Sequence, residues 1–379
     1  MNRCLLAVAI LVAASCERAQ VGAIIDPKSQ DEFHGKTLTI SLSDLNDVAE
    51  WRLSLRPASV VRASESDPNH NFWNTGDVIA LSDNRIVVAS PSNPLRIFRT
   101  DGSLQAALGR TGDGPGEYRQ IISVAALRGD TIATYDNTLG RVSIFDPNGA
   151  LVRSHAIEVP YVSSAAITRD GRLVTGSSAG TMPTSPVPGT RRGRLRITIT
   201  DLATGDSRVL GFVGDWIHSG RGSIPFSPHA RIAAGGDRAF ATSTDRYIID
   251  VYDAEGAVFR LEANPPQQAH SDEDLQGWLT ADVGGSDKAV EQRWRREVGH
   301  YAMKYRNQIG GLLADELDWI WVWHVDQWHI YDATGTLRAR MSDLGEQRYI
   351  KSVHHDRVVL GRTGDTGWES FEVWPIIKS

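Results

Sequence analysis

WHIYDATGTLRARM, residues 328–341, decides the fold. β-branched and aromatic residues lead into an Asp, a short polar turn carries a Gly, and a second strand-like stretch follows. That order is a strand, a tight turn and a strand, hence a β-hairpin. The phrase recurs upstream as LRIFRTDGSLQAALG (95–109), VSIFDPNGALVRSHA (142–156), ITITDLATGDSRVLG (197–211) and IDVYDAEGAVFRLE (249–262). Ahead of each hairpin lies another phrase, a polar turn and then a β-rich run. It reads SDNRIVVAS (82–90), RGDTIATYD (128–136), TRDGRLVTGSS (168–178), GGDRAFATS (235–243), LADELDWIWVWH (313–324) and HHDRVVLG (354–361). SFEVWPI (370–376) begins a sixth hairpin and has no partner after it.

The hairpin turns centre on Asp101, Asp146, Asp201, Asp253 and Asp332, spaced 45, 55, 52 and 79 residues apart. Repeats of roughly 40–55 residues with about four short strands each predict an all-β chain folded as a six-bladed β-propeller. The sixth blade lacks its outer strand, so an N-terminal strand, TLTISLSD (37–44) or WRLSLRP (51–57), is expected to complete it and close the ring. A separate N-terminal sheet is the alternative. The longest interval holds a helical insertion, about 265–306. Ser271 and Asp274 have capping-box spacing, and Val290, Trp294, Val298, Tyr301, Ala302 and Tyr305 recur every three or four residues. A lid packed for stability is its expected role.

The chain has 379 residues, 41% hydrophobic and 23% charged, an ordinary globular composition. A net charge of −6 lacks the basic imprint of a nucleic-acid partner. The only cysteines are Cys4 and Cys16, which excludes a disulfide framework and a four-thiolate zinc site.

Residues 1–16 read MNRCLLAVAILVAASC. Arg3 precedes an apolar run of about ten residues, too short to span a bilayer and suited to a signal-peptide core. Ala13-Ala14-Ser15-Cys16 resembles the bacterial lipobox, with Ala13 where Leu is most common. The resemblance implies a signal peptide over 1–15 and a lipidated Cys16; residues 17–35 show no sustained period and read as a tether with a reach of about 25 Å, and the repeats make 36–379 one propeller domain. The membrane would be a partner through the lipid alone. An ordinary secretory signal is the alternative. Glu17, standing where Asp tends to retain lipoproteins in the inner membrane, points to the outer membrane.

GDGPGEY (112–118) follows the first hairpin. With LLADELDWIWVW (312–323) and DRVVLGRTGDTGWESFEVWPI (356–376), it resembles bacterial six-bladed propeller lipoproteins related to NHL-repeat proteins. This implies the fold and an extracytoplasmic setting, and it brings no catalytic motif. No Lys-Ser/Thr pair follows the glycines, so the loop is not a P-loop.

Chemistry-bearing residues are sparse. Six-bladed calcium-dependent lactonases gather tunnel carboxylates, because calcium takes six to eight oxygens. Asp83, Asp130, Asp136, Asn137, Asp170 and Asp315 are candidates, yet each sits where a turn needs Asp or Asn. His354 and His355 are adjacent, so on a strand they would face opposite ways. Trp319, Trp321, Trp323 and Val325 alternate with Ile320 and Val322, which predicts a strand buried on both faces. The loop or tunnel-mouth candidates are Gly112, Gly114, Glu117, Asp136, His324 and Asp326. No catalytic residue, cofactor or metal is assigned, with calcium the one cofactor the fold class leaves open. The function expected is binding of a small ligand or an envelope protein. A tunnel-metal hydrolase or lyase is the alternative.

Overall fold

The computed structural model describes residues 33–378 except 43–46, 74, 91–92, 158, 160, 186–187, 220–221, 225, 272, 275–304, 343, 346 and 365–366. The expected signal peptide, Cys16 and most of the stretch expected to form a helical insertion lie outside the described residues. The capping box at the start of that insertion is formed: Ser271 N and Oγ donate to Asp274 Oδ2 at 2.8 and 2.9 Å, and Asp274 N donates to Ser271 Oγ at 3.1 Å.

Six sheets, each built on an antiparallel meander, form six blades. Their inner strands are Val78–Ala80, Ile121–Ala126, Val162–Ile167, Ala230–Ala234, Gly311–Ala314 and Arg348–Val353. Each inner strand packs beside the next, and the sixth returns to the first, so the ring is closed. The recurring hairpin is the outer half of blades 1 to 5. In every one the Asp side chain accepts backbone N–H groups of its own turn: Ser103 N on Asp101, Asn148 N on Asp146, Ala203 N on Asp201 and Glu255 N on Asp253, with Thr334 N and Thr336 N on Asp332. The Gly supplies the positive φ that ends the turn, at Gly102, Gly149, Gly205, Gly256 and Gly335. In most blades the pairing slips by one residue just before the turn, as between Ile144 and Phe145 or Ile330 and Tyr331. Such bulges add twist to a blade.

The core is divided in the same way. Each of the six blade interfaces holds its own buried apolar cluster, for example Ile97, Leu108, Ile121 and Val124 between blades 1 and 2, and Trp321, Ile330, Val358 and Leu360 between blades 5 and 6. Ile320, Trp321 and Val322 are buried as the alternation predicts, whereas Trp319 and Trp323 are only half-buried. Val325 departs from it. It is 52% exposed with a φ of 59°, because the strand ends at His324 and Val325-Asp326 form a two-residue turn.

Closure takes a different route from the simplest expectation. The described residues 36–42 and 47–61 run along the outer rim of three successive blades. Lys36–Thr39 pairs in parallel with the outer strand of blade 4, and Ala49–Glu50 pairs in parallel with that of blade 5. Arg52–Leu53 and Ser59–Val61 then pair antiparallel with Glu369–Ile377 of blade 6. The stretch from residue 37 therefore covers blade 4, and the strand that completes blade 6 lies partly beyond residue 57. Alternation marks an edge strand without stating which edge it meets, and all three rims need cover.

Candidate functional site

The six inner strands surround a central channel with about 210 Å³ of free space. Its walls are small because inner strands such as IISVAA, VSSAAI and ARIAA bring Ala and Ser to the axis. The turn after each inner strand lies on one face, and those six turns are joined in a circle. Ser82 N donates to Asp130 Oδ1 (3.0 Å), and Arg128 N donates to Arg169 O (3.3 Å). Arg169 N and Asp170 N donate to Gly235 O and Gly236 O (2.8 and 3.0 Å). Arg238 N donates to Asp318 Oδ1 (3.1 Å), His355 N to Glu316 Oε2 (3.2 Å), and Arg357 Nη2 to Leu81 O (3.3 Å). Asp130 and Asp170 thus lie in turns that stitch neighbouring blades.

Arg169, Asp315, Glu316 and His354 line the channel toward that face, while Asp77 and Lys351 line it from the other side. Each acid holds a partner in the blades, although Asp315 Oδ2 is buried without a hydrogen bond. Asp315 Oδ1 accepts Leu317 N and Trp319 N, and burial raises its pKa. Burial pushes the Glu316 carboxyl up, but the adjacent His354, with Nδ1 at 3.5 Å, outweighs it and leaves the pKa at about 2. Asp77 opens onto the channel, yet the surrounding protein desolvates it and lifts its pKa to about 6 while Oδ2 accepts Val124 N at 2.9 Å. Lys351 Nζ donates to Thr75 Oγ1 (3.2 Å) and lies 3.3 Å from Glu369 Oε1. Glu369 also accepts the hydroxyls of Thr75 and Tyr349. Among the described residues no three His, Cys, Asp or Glu side chains come together to hold a metal ion.

Of the carboxylate candidates for calcium, Asp315 alone lies on the channel wall; the loop or tunnel-mouth candidates fall into two groups, neither of them on it. Gly112, Gly114, Glu117 and Asp136 meet where blade 1 passes to blade 2. Glu117 Oε2 accepts Gly114 N (2.7 Å), and Oε1 accepts Arg110 Nε (2.5 Å). Gly112 N donates to Tyr118 O (3.1 Å). Tyr118 ties the loop to the core, its hydroxyl accepting Leu95 N at 2.6 Å. Asp136 accepts Arg119 N and Gln120 N (2.5 and 2.8 Å) and, on its other oxygen, Leu139 N (2.8 Å). This group is a backbone clamp. His324 and Asp326 lie in blade 5. Asp326 is exposed at the two-residue turn, whereas His324 is half-buried with Nδ1 2.6 Å from Gln308 O. His354 and His355 part as adjacent residues should, His354 toward Glu316 and His355 toward Asp315, with Nδ1 3.6 Å from Oδ2.

A second cavity, about 300 Å³, opens between blades 5 and 6. It is walled by Trp323, Trp328, Leu312, Leu344 and Ile350, and Arg231 reaches it from blade 4. Sequence reading missed it. Arg231 stands alone in ARIAA, and its neighbours in the cavity are up to 119 positions distant, at Ile350.

No family model matches the chain, and no curated protein does. Among solved structures, the chain is similar to a putative exported protein from Bacteroides fragilis at 13% identity and a TM-score of 0.47, covering 91% of this chain and 98% of that one. It is also similar to a DUF4221 family member from Bacteroides vulgatus (9% identity, TM-score 0.49, 87% and 99% covered) and a gluconolactonase from Xanthomonas campestris (9%, 0.40, 87% and 97%). The six-bladed assignment rests on the chain's own strand pairing.

Proposed function

We propose that the protein is a lipid-anchored, ligand-binding propeller of the bacterial cell envelope. The observation that carries the binding reading is how the channel acids are spent. Asp77 and Asp315 each accept a backbone N–H, and Glu316 faces His354, all within the blades. A calcium-dependent hydrolase needs such oxygens directed at one point. The cavity between blades 5 and 6 is concave, mostly apolar and fitted with a charged group, the usual make-up of a small-molecule site.

Two experiments test this reading. Calcium should leave the melting temperature unchanged, whereas a site filled to a hundred times its Kd would add about 2.7 kcal/mol and raise it visibly. A calcium-dependent rise would overturn binding in favour of the tunnel-metal hydrolase. For the anchor, the AASC sequence at 13–16 motivates Cys16→Ala with metabolic palmitate labelling. Labelling should disappear; its persistence would remove Cys16 as the lipidated residue.

A further inference from the structure

Arg231 is the second residue of the inner strand Ala230–Ala234 of blade 4, and its side chain lines the cavity between blades 5 and 6. Its Nε is buried with no hydrogen-bond partner, and no carboxylate among the described residues acts on its charge. Burial alone moves its pKa, and it moves it down. Leaving a desolvated cation unpaired is costly. The other cation on the wall, Arg348, is already used: its Nε donates to Glu372 Oε2 at 3.0 Å, and its guanidinium lies over Trp374 at 5.0 Å. The cavity therefore offers one uncompensated positive charge.

The remaining wall is apolar and shaped. Trp323 and Trp328 meet at 5.5 Å between ring centroids with 57° between their planes. Gly310 and Gly311 make room for them. A Cβ on Gly310 would come within 2.5 Å of Trp323 Cδ1, and one on Gly311 within 3.1 Å of Trp328 Cη2. The free space of about 300 Å³ equals roughly ten liquid waters.

We propose that this cavity binds a small monocarboxylate with an apolar or aromatic body, its carboxylate taken by Arg231 and its body held against Trp323 and Trp328. A guanidinium fork matches a carboxylate in two parallel hydrogen bonds. One unpaired cation balances one negative charge, which favours a carboxylate over a doubly charged phosphate. This names the ligand class for the binding reading above and rests on it.

The test is calorimetric titration of the protein with 4-phenylbutyrate, octanoate and cyclohexanecarboxylate, each against its primary amide. At least one acid should bind, with its amide at least tenfold weaker. Arg231→Gln should bring that acid down to the level of its amide. Gly311→Leu, which fills the cavity and leaves Arg231 in place, should abolish binding of both. Thermal melts establish that each variant folds; if Arg231→Gln does not, Gly311→Leu decides alone. Absence of binding by all three acids, equal binding of acid and amide, or acid binding unaffected by either variant overturns the proposal. A ligand that binds wild type and both variants equally would leave the binding reading standing and remove this one.

Discussion

His329 lies fully buried between blades 4 and 5, with Nδ1 2.9 Å from the Tyr247 hydroxyl, which in turn lies 2.7 Å from the Tyr331 hydroxyl. Its Nε2 is buried without a partner. Desolvation, helped by His324, lowers its pKa to about 4 from 6.5. Between those values the unfolded chain holds the extra proton, so stability is lost as pH falls from 6.5 toward 4. The shift corresponds to about 3 kcal/mol. His329→Gln should flatten that part of the stability profile in urea titrations at stepped pH; an unchanged slope would place the acid sensitivity elsewhere. Asp77 has the opposite sign. Its folded pKa is raised to about 6, so its ionisation disfavours the fold as pH rises through that value. Asp77→Asn keeps an acceptor for Val124 N and should gain on wild type between pH 4 and 7. A gain that does not grow with pH would contradict the assigned shift.

At the scale of the element, the hairpin turn is the repeating device. Asp332 is buried to 8% exposure and binds two backbone N–H groups and Arg338 Nε at 2.6 Å. Asp332→Ala should cost about 1–3 kcal/mol in denaturant midpoint, since the freed groups lose their acceptor. A loss below a few tenths would show the turn to be held by its neighbours. These hairpins were legible because their demands are local: an Asp to cap the turn, a Gly for positive φ, β-branched residues on both sides. The inner strands were not. VSSAAI and ARIAA face a narrow axis, where small residues replace the apolar-polar alternation that marks a strand. Nor was the reach of blade 3. Its Arg191–Asp201 and Ser207–Ser219 strands run 11 and 13 residues, against five for Ile248–Tyr252 in the next blade. The intervals of 55 and 52 residues show extra chain, not that it lengthens strands. The cavity is hidden for a related reason. Its residues come from three blades, and what makes Arg231 notable is a missing partner, which has no sequence signature.

At the scale of the molecule, closure joins residues more than 300 positions apart, Val61 against Phe371 and Ser59 against Val373. A chain beginning at residue 33 retains every rim pairing. One beginning at residue 62 leaves blade 6 with three strands and exposes Glu369–Ile377 as an edge. The first should unfold in a single transition. The second should unfold in transitions that differ between tryptophan fluorescence and far-ultraviolet circular dichroism. Coincident transitions at an unchanged midpoint would show that the ring holds without that strand.

The rim segment also sets the order in which the molecule yields to force. A load applied at residue 33 and pulling away from the rim first meets Lys36–Thr39 on blade 4, then Ala49–Glu50 on blade 5, where Trp51 is stacked on Trp319 at 5.6 Å. Only after both have parted, and Arg52–Leu53 has come away from the end of Glu369–Ile377, does it reach Ser59–Val61, the pairing that closes the ring. Those earlier pairings act as fuses in series. Tension at that end is spent on strands the ring can lose, and the seam that keeps six blades in one circle is the last to carry it.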